Sequence, residues 1–404
     1  MDFEPQDVLD SATVGASPSG HRVEDITATG RTRQRRSRYS WIIGGVAAAA
    51  AVVAAVSVPH FASAASHQNA QAGAGGTGAG GSGNSSAADV KPLTFPALTS
   101  PFMYSVKGYG VGTLHVSDPL FATATYQESM ITMDGVAKAK SMNSAGTWVR
   151  EYDRSVGTLT VYRPGVFKPD KFQSGTKVTV RGLPGLQTTF DAQEPDGGPA
   201  KGADGKRAMP SFHTVKVAAL AWQYADGAWA TITTTILFKT ADPAKDVLSL
   251  ATGLAPADTA TSVKVPYKIA VPAGYKLVAI GKFDPLSGGE DISEAYFSKT
   301  DIPVTSLTDR LTDQQLMAAK GGTLKIIVTE TAPAAPSDPY PHPNPKSPCQ
   351  PGFCDRAINA NYFAEILEGK DNTAVIHSVT NGLVFDNPAD PSTWHDVTTS
   401  GAAK

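Results

Sequence analysis

Cysteine is nearly missing from this chain. Cys349 and Cys354 are its two cysteines in 404 residues, which excludes a cysteine-dense, disulfide-built scaffold. Excess charge is missing as well. Thirty-five Lys and Arg face 37 Asp and Glu, a formal net charge of -2. Phosphate binding needs a clustered basic surface, so a general nucleic-acid binder is excluded and no nucleic-acid partner is expected. Catalytic signatures are also lacking. Gly-x-Ser-x-Gly does not occur, and Lys299-Thr300-Asp301 misses Lys-Thr-Gly. Ser174-Gly175-Thr176-Lys177 fits Ser-x-x-Lys, but at a strand start and without its partner motifs. A nucleophile, a base and an oxyanion donor cannot all be named, so no enzyme, no catalytic residue and no cofactor is read here.

One long hydrophobic run is present. Arg31, Arg33, Arg35, Arg36 and Arg38 lead into Trp41–Val58, where every residue is apolar, Gly or Ser. With its flanks the run reaches the ~17–25 residues that a bilayer-spanning helix needs. Tyr39 and Trp41 stand where interfacial aromatics stand, and the arginines put the N-terminus in the cytoplasm. The reading is a single transmembrane helix over 41–61, with the membrane as a partner and the bulk of the chain outside. The alternative is an exported protein cleaved after Ala64, since Ala62-Ser63-Ala64 forms an A-x-A site. Against it stand the about forty residues before the run, long for a signal peptide, and the length of the run itself.

Composition divides the rest. Residues 1–40 are polar, with too few apolar positions for a core, and are read as a mostly disordered cytoplasmic segment. Residues 62–92 hold "AGAGGTGAGGSGNSSAA", a flexible linker. Gly73, Gly75 and Gly78 match G-x-G-x-x-G there by low complexity, with no strand before and no helix after. Residues 93–396 carry strand signals: "GTLHVSD", "GTLTVYRP", "TKVTVRGLPG", "VPYKIAVPAGYKLVAIGKF", "GTLKIIVTET", "NYFAEILEG" and "NTAVIHSVTNG". In "HTVKVAALAWQYADGAWATITTTILF" Leu220, Trp222 and Tyr224 alternate into Asp226-Gly227, and Trp229, Ile232 and Ile236 lead away. That pattern predicts a hairpin whose turn takes positive φ from the Asp-Gly pair. A helix follows, capped by Asp242, with Pro243 first, Val247, Leu248 and Leu250 on its apolar face, and Gly253 last. "SLTDRLTDQQLMAAKGG" is a second helix candidate, and prolines make 332–351 a long loop. "GTL" strand starts at Thr158-Leu159 and Thr323-Leu324 suggest two similar units, 93–255 and 256–396, with 397–404 a disordered tail. The fold expected is α+β, rich in antiparallel strands, with few helices.

Cys349 and Cys354 bracket "QPGF", a turn that brings two cysteines within disulfide reach, and outside the cytoplasm such a pair oxidises. The bond would pin a local turn. A zinc site from His342, Cys349, Cys354 and Asp355 is the rival, with irregular spacing and no second motif. Glu290, Asp291 and Glu294 read as a solvated turn, and His115, His213, His377 and His395 as isolated residues. Trp222, Tyr224 and Trp229 form either a binding platform or core; strand spacing favours core.

"RGLPG", "LAWQYADGAWATI", "DPAKDVLSLATGL" and "VPAGYKLVAIGKF" together resemble extracytoplasmic domains of actinobacterial membrane-tethered proteins, many of them similar to the outer regions of anti-sigma-factor-like proteins. "VEDITATGRTRQRRSRYSWIIGGVAAAAAVV" resembles their juxtamembrane segment. The likeness covers Val23–Ala55 and Arg181–Phe283 and rests on structural residues, so it implies a fold and a topology without an active site. It departs from the family in two ways. His-x3-Cys-x2-Cys is absent, and residues 1–40 are short for a sigma-binding domain. Two functions follow as expectations. One is a membrane sensor with a cytoplasmic regulatory partner through residues 1–40. The other is an extracytoplasmic binding module for a wall polymer, a lipid or another protein.

Overall fold

The computed structural model describes residues 92–142, 148–195, 212–282, 291–300, 322–330, 349–350, 352–368 and 373–396. Residues 1–40 with Arg31–Arg38, the apolar run from Trp41, the glycine linker, the second helix candidate and most of 332–351 lie outside them. Among the described residues no helix is long and apolar enough to cross a membrane.

Short strands come first: β1 (Met103–Val106), β2 (Tyr109–Val111), β3 (Leu114–Val116), β4 (Phe121–Thr123), β5 (Tyr126–Met133), β6 (Ala139–Met142), β7 (Trp148–Tyr152) and β8 (Gly157–Tyr162). β9 (Thr176–Val180), β10 (Leu183–Pro195), β11 (Phe212–Ala225) and β12 (Ala228–Thr234) lead to helix α1 (Pro243–Gly253). β13 (Pro256–Ser262), β14 (Lys264–Val265), β15 (Tyr267–Lys268), β16 (Lys276–Gly281), β17 (Asp291–Ser298), β18 (Thr323–Glu330), β19 (Cys349–Gln350), β20 (Phe353–Ala357) and β21 (Tyr362–Glu368) precede helix α2 (Thr373–Gly382). β22 (Val384–Phe385) and β23 (His395–Asp396) are the last of the described strands. The result is a strand-rich α+β fold with two α-helices among the described residues.

Fifteen of these strands form one antiparallel sheet, in the order β19-β20-β21-β18-β17-β16-β4-β5-β8-β12-β11-β10-β9, with β2 and β3 added beside β5. Its central strands are buried on both faces. On one face, Leu159 and Val161 of β8 and Leu220 and Trp222 of β11 meet Val247, Leu250 and Ala251 of α1. Farther along, Ile326, Val328 and Ile366 meet Ile376 and Val379 of α2. The opposite face carries aromatics, including Tyr126, Tyr162, Phe172 and Tyr296. Trp222 is 1% exposed. Fully burying a large apolar side chain contributes ~1.5–3 kcal/mol, so these layers hold the helices against the sheet.

The hairpin forms where the alternation put it, with Leu220 opposite Ile232 and Ala225 opposite Ala228. Its turn differs from the expectation. Only Gly227 has positive φ, at 62°, and the register shifts between Gln223 and Ala225. The turn with two positive φ angles joins β9 to β10 instead, through Arg181 at 50° and Gly182 at 80°. Ile236 lies beyond β12, in a turn.

Helix α1 is capped as expected: the Asp242 carboxylate accepts from Lys245 N at 3.0 Å and Pro243 opens the helix. Leu248 is only partly buried. "NTAVIHSVTNG", read as a strand, is instead α2. Its β-branched residues imitate strand composition, but Ile376, Val379 and Thr380 recur at helical spacing and are the ones buried. Each helix ends on an arginine. Arg181 Nη1 donates to Leu254 O at 3.4 Å, and Arg356 Nη1 donates to Leu383 O at 2.7 Å and to Thr380 O. Cations there satisfy orphan carbonyls and oppose the helix dipole.

Gly253 closes α1 under the ring of Tyr109, whose hydroxyl donates to Leu250 O at 2.8 Å. A Cβ at 253 would meet Tyr109 ring carbons at 2.8 and 3.0 Å and Val111 at 3.0 Å. Helix propensity alone makes Gly→Ala stabilising by up to ~1 kcal/mol. Here overpacking outweighs it, and Gly253→Ala is expected to destabilise by about 1–3 kcal/mol, read from urea unfolding midpoints. A stabilised variant would contradict this packing.

Candidate functional site

The segment preceding β1, Pro92–Pro101, crosses the ends of β5, β8, β11 and β12 as an extended strap. Pro92, Pro96 and Pro101 remove backbone donors and forbid a helix. Leu93 and Phe95 turn inward while Pro92 and Thr94 face solvent, a period of two. Leu93 N donates to Tyr224 O at 3.1 Å. The Phe95 ring meets the Tyr224 ring edge-on, 4.8 Å between centroids. At the other end of the strap the Arg163 guanidinium donates to the carbonyls of Ser100, at 3.4 Å, and Pro101.

Between strap and sheet lies a mainly apolar cleft of about 470 Å³, within the range of small-molecule sites. Leu93, Phe95 and Leu98 form one wall; Val161, Tyr162 and Ala225 belong to the sheet side. Several of its polar groups are already engaged. Gln127 ties β5 to β1: its Oε1 accepts from Ser105 N at 2.8 Å and Val106 N at 3.3 Å, and its Nε2 donates to Ser105 Oγ at 2.6 Å. Those amides are free to donate because the register of β1 against β13 shifts between Tyr104 and Val106. The Tyr224 hydroxyl donates to Tyr162 O at 2.6 Å.

The hairpin residues therefore divide. Tyr224 lines the cleft and Trp222 lies buried under α1, on the same face. Trp229 stands opposite Gln223, so its ring is on the other face, 6.0 Å from Phe167. The three aromatics are not one platform. Asp226 and Gly227 are exposed at the tip.

Other candidates move as well. Glu294, expected on a solvated turn, is in β17 with a side chain 2% exposed; Lys325 Nζ, on a side chain 6% exposed, is 3.1 Å from its Oε2. The Tyr296 hydroxyl donates to the same oxygen at 3.0 Å, and the Lys325 ammonium lies 4.7 Å from the Tyr296 ring centroid. Three histidines have acidic partners: His115 with Asp134 at 3.1 Å, His213 with Glu194 at 3.6 Å, and His395 with Asp386 at 2.8 Å. Ser174 and Lys177 are exposed around the start of β9. Cys349 and Cys354 are joined, as directly opposed residues of β19 and β20. Strand alternation turns Asp355 away from the sulfurs, and His342 lies outside the described residues. The strap was missed in the sequence. Its inward Leu93 and Phe95 and its spaced prolines were the available signal.

Burial pushes the Tyr224 phenol up to about 12, while the nearby Arg163 charge works against the rise. The native state thus keeps a proton that the unfolded chain loses near pH 10, and stability falls as pH rises from 10 toward 12. Tyr224→Phe is expected to lose less stability over that window than the parent, measured as urea midpoints at several alkaline pH values. An unchanged alkaline slope would contradict the assignment.

No protein-family profile and no curated protein matches the sequence. A solved structure titled "Crystal structure of MucB in complex with MucA(peri)" aligns at 11% identity over 66% of this chain and 92% of that one, with a TM-score of 0.16. That score is far below the value at which two chains share a fold.

Proposed function

We propose that this chain is a single-pass membrane protein whose extracytoplasmic, strand-rich region binds an apolar chain in the strap cleft and senses its occupancy. The observation that carries the reading is the strap itself. Pro92–Pro101 is both a wall of the cleft and the stretch that follows the glycine linker and the apolar run. A ligand that displaces Leu93 and Phe95 from the sheet acts directly on the tether. The cleft supports an apolar occupant because its lining is mainly aliphatic and aromatic, and Gln127, Ser105 and the Tyr224 hydroxyl are held within the protein. We read the protein as a binding protein and not an enzyme on the same ground. The positive-inside arginines support a cytoplasmic N-terminus, and residues 1–40 are the segment available to a cytoplasmic regulatory protein.

A second reading keeps the cleft and drops the tether. Ala62-Ser63-Ala64 supports it: cleavage there would release a binding module for a lipid, wall polymer or protein. Either way the cleft is where ligand goes.

Its test is direct. A fluorescent long-chain fatty acid should bind the parent saturably. Ala225→Trp, at a half-buried position on the cleft wall, should weaken binding at least about tenfold while leaving the urea midpoint near the parent's, because it removes the volume that the apolar chain fills. No saturable binding by the parent, or equal binding by the filled variant, would sink the proposal.

A further inference from the structure

Helix α2 lies against β20 and β21, and its exposed His377 comes beside the Cys349–Cys354 disulfide. The two sulfurs and a ring nitrogen of His377 all lie within 4.8 Å of one another. Tetrahedral zinc with bonds of about 2.3 Å to sulfur and 2.0–2.1 Å to nitrogen requires its ligand atoms to stand roughly 3.3–3.8 Å apart. The ring nitrogen is therefore within about an ångström of its place relative to each sulfur, and the two bonded sulfurs have to part by nearly 2 Å. The cysteines are directly opposed in a hairpin, so rotation about their own side-chain bonds separates the sulfurs while the strands stay paired. The three ligands come from two elements, β19–β20 and α2, each fixed by the core: Cys354 is fully buried, and Ile376 and Val379 anchor the helix beside it.

We propose that the Cys349–Cys354 disulfide is a reversible cover on a metal site, and that reduction opens a Cys₂His site with His377 for a thiophilic divalent cation such as zinc. The balance is simple. A dithiol reductant becomes a cyclic disulfide as the Cys349–Cys354 bond breaks, giving two thiols. Metal binding then releases both thiol protons, and His377 binds as the neutral ring. Three protein ligands leave the fourth position to water or another donor. The oxidised chain has no thiolate to offer, so the site depends on the redox state of its surroundings. This inference is independent of the cleft.

The full chain in detergent, reduced with a dithiol that is then removed under anaerobic conditions, is titrated with cobalt(II) as the zinc probe. The expected result is one equivalent bound, with a thiolate-to-metal charge-transfer band and tetrahedral ligand-field bands, both absent from the oxidised chain and both bleached by zinc. His377→Ala should keep the thiolate band and lose at least about tenfold in affinity, while His377→Cys should restore tight binding. Should the histidine variant misfold, the reduced parent alone decides. A reduced parent with no charge-transfer band overturns the proposal. Equal affinity in a folded His377→Ala variant overturns the role of the histidine and with it the site.

Discussion

Three residue pairs between β4 and β16 hold the sheet together: Thr123 with Ala279, Ala122 with Ile280, and Phe121 with Gly281. β4 and β5 carry the ladder on through β8 to the α1 side, and β17 and β18 carry it to the α2 side. The contact is short, so each position matters. At Gly281 a Cβ would meet the Phe121 ring at 2.8 Å and the Leu120 carbonyl at 3.0 Å; the strands come together because nothing is there. Beside it lies the buried pair Glu294–Lys325. Such pairs are poor sources of stability, since desolvation offsets most of their attraction, but losing one partner alone leaves a buried charge at a cost of about 3–5 kcal/mol. The effect is to penalise other registers of β17 against β18.

Local chemistry was legible in the sequence where it sufficed. Asp242 and Pro243 start α1 because an orphan amide needs an acceptor and a fixed φ suits the first turn; no distant residue is involved. The hairpin at Asp226-Gly227 was legible for the same reason. The turn between β9 and β10 was not, because Arg181 is an unusual occupant of a left-handed position. Helix α2 was misread since Val375, Ile376, Val379 and Thr380 have strand composition, and only the layer of sheet beneath them selects the helical spacing. Glu294 was misread since it belongs to a run of acids, Glu290, Asp291 and Glu294, that follows Gly288-Gly289 and so resembles a turn. Its partner Lys325 is brought to it by sheet pairing across a long separation.

The cleft has a similar history. None of its polar groups is conspicuous alone. Gln127, Ser105, Arg163 and Tyr224 come together only when β1, β5, β8 and β11 are in register; Gln127 and Ser105 then hold the bulge of β1, Arg163 the strap, and the Tyr224 hydroxyl the end of β8. What remains for a ligand is apolar surface. The wall of that space is chain leading back to the glycine linker, so under the proposed reading the ligand's site and the tether would share one segment. Sensing through a membrane would need that continuity, and a released domain would lack it.

The measurement that tests this most directly is fractionation of cells expressing the full chain, with the protein's N-terminal peptides identified by mass spectrometry in membrane and medium. The account predicts peptides from Met1–Arg31 on a membrane-bound, full-length chain, with the region after Phe61 cut by protease added outside the cell. A mature chain that begins at Ala65 and is free in the medium would contradict it.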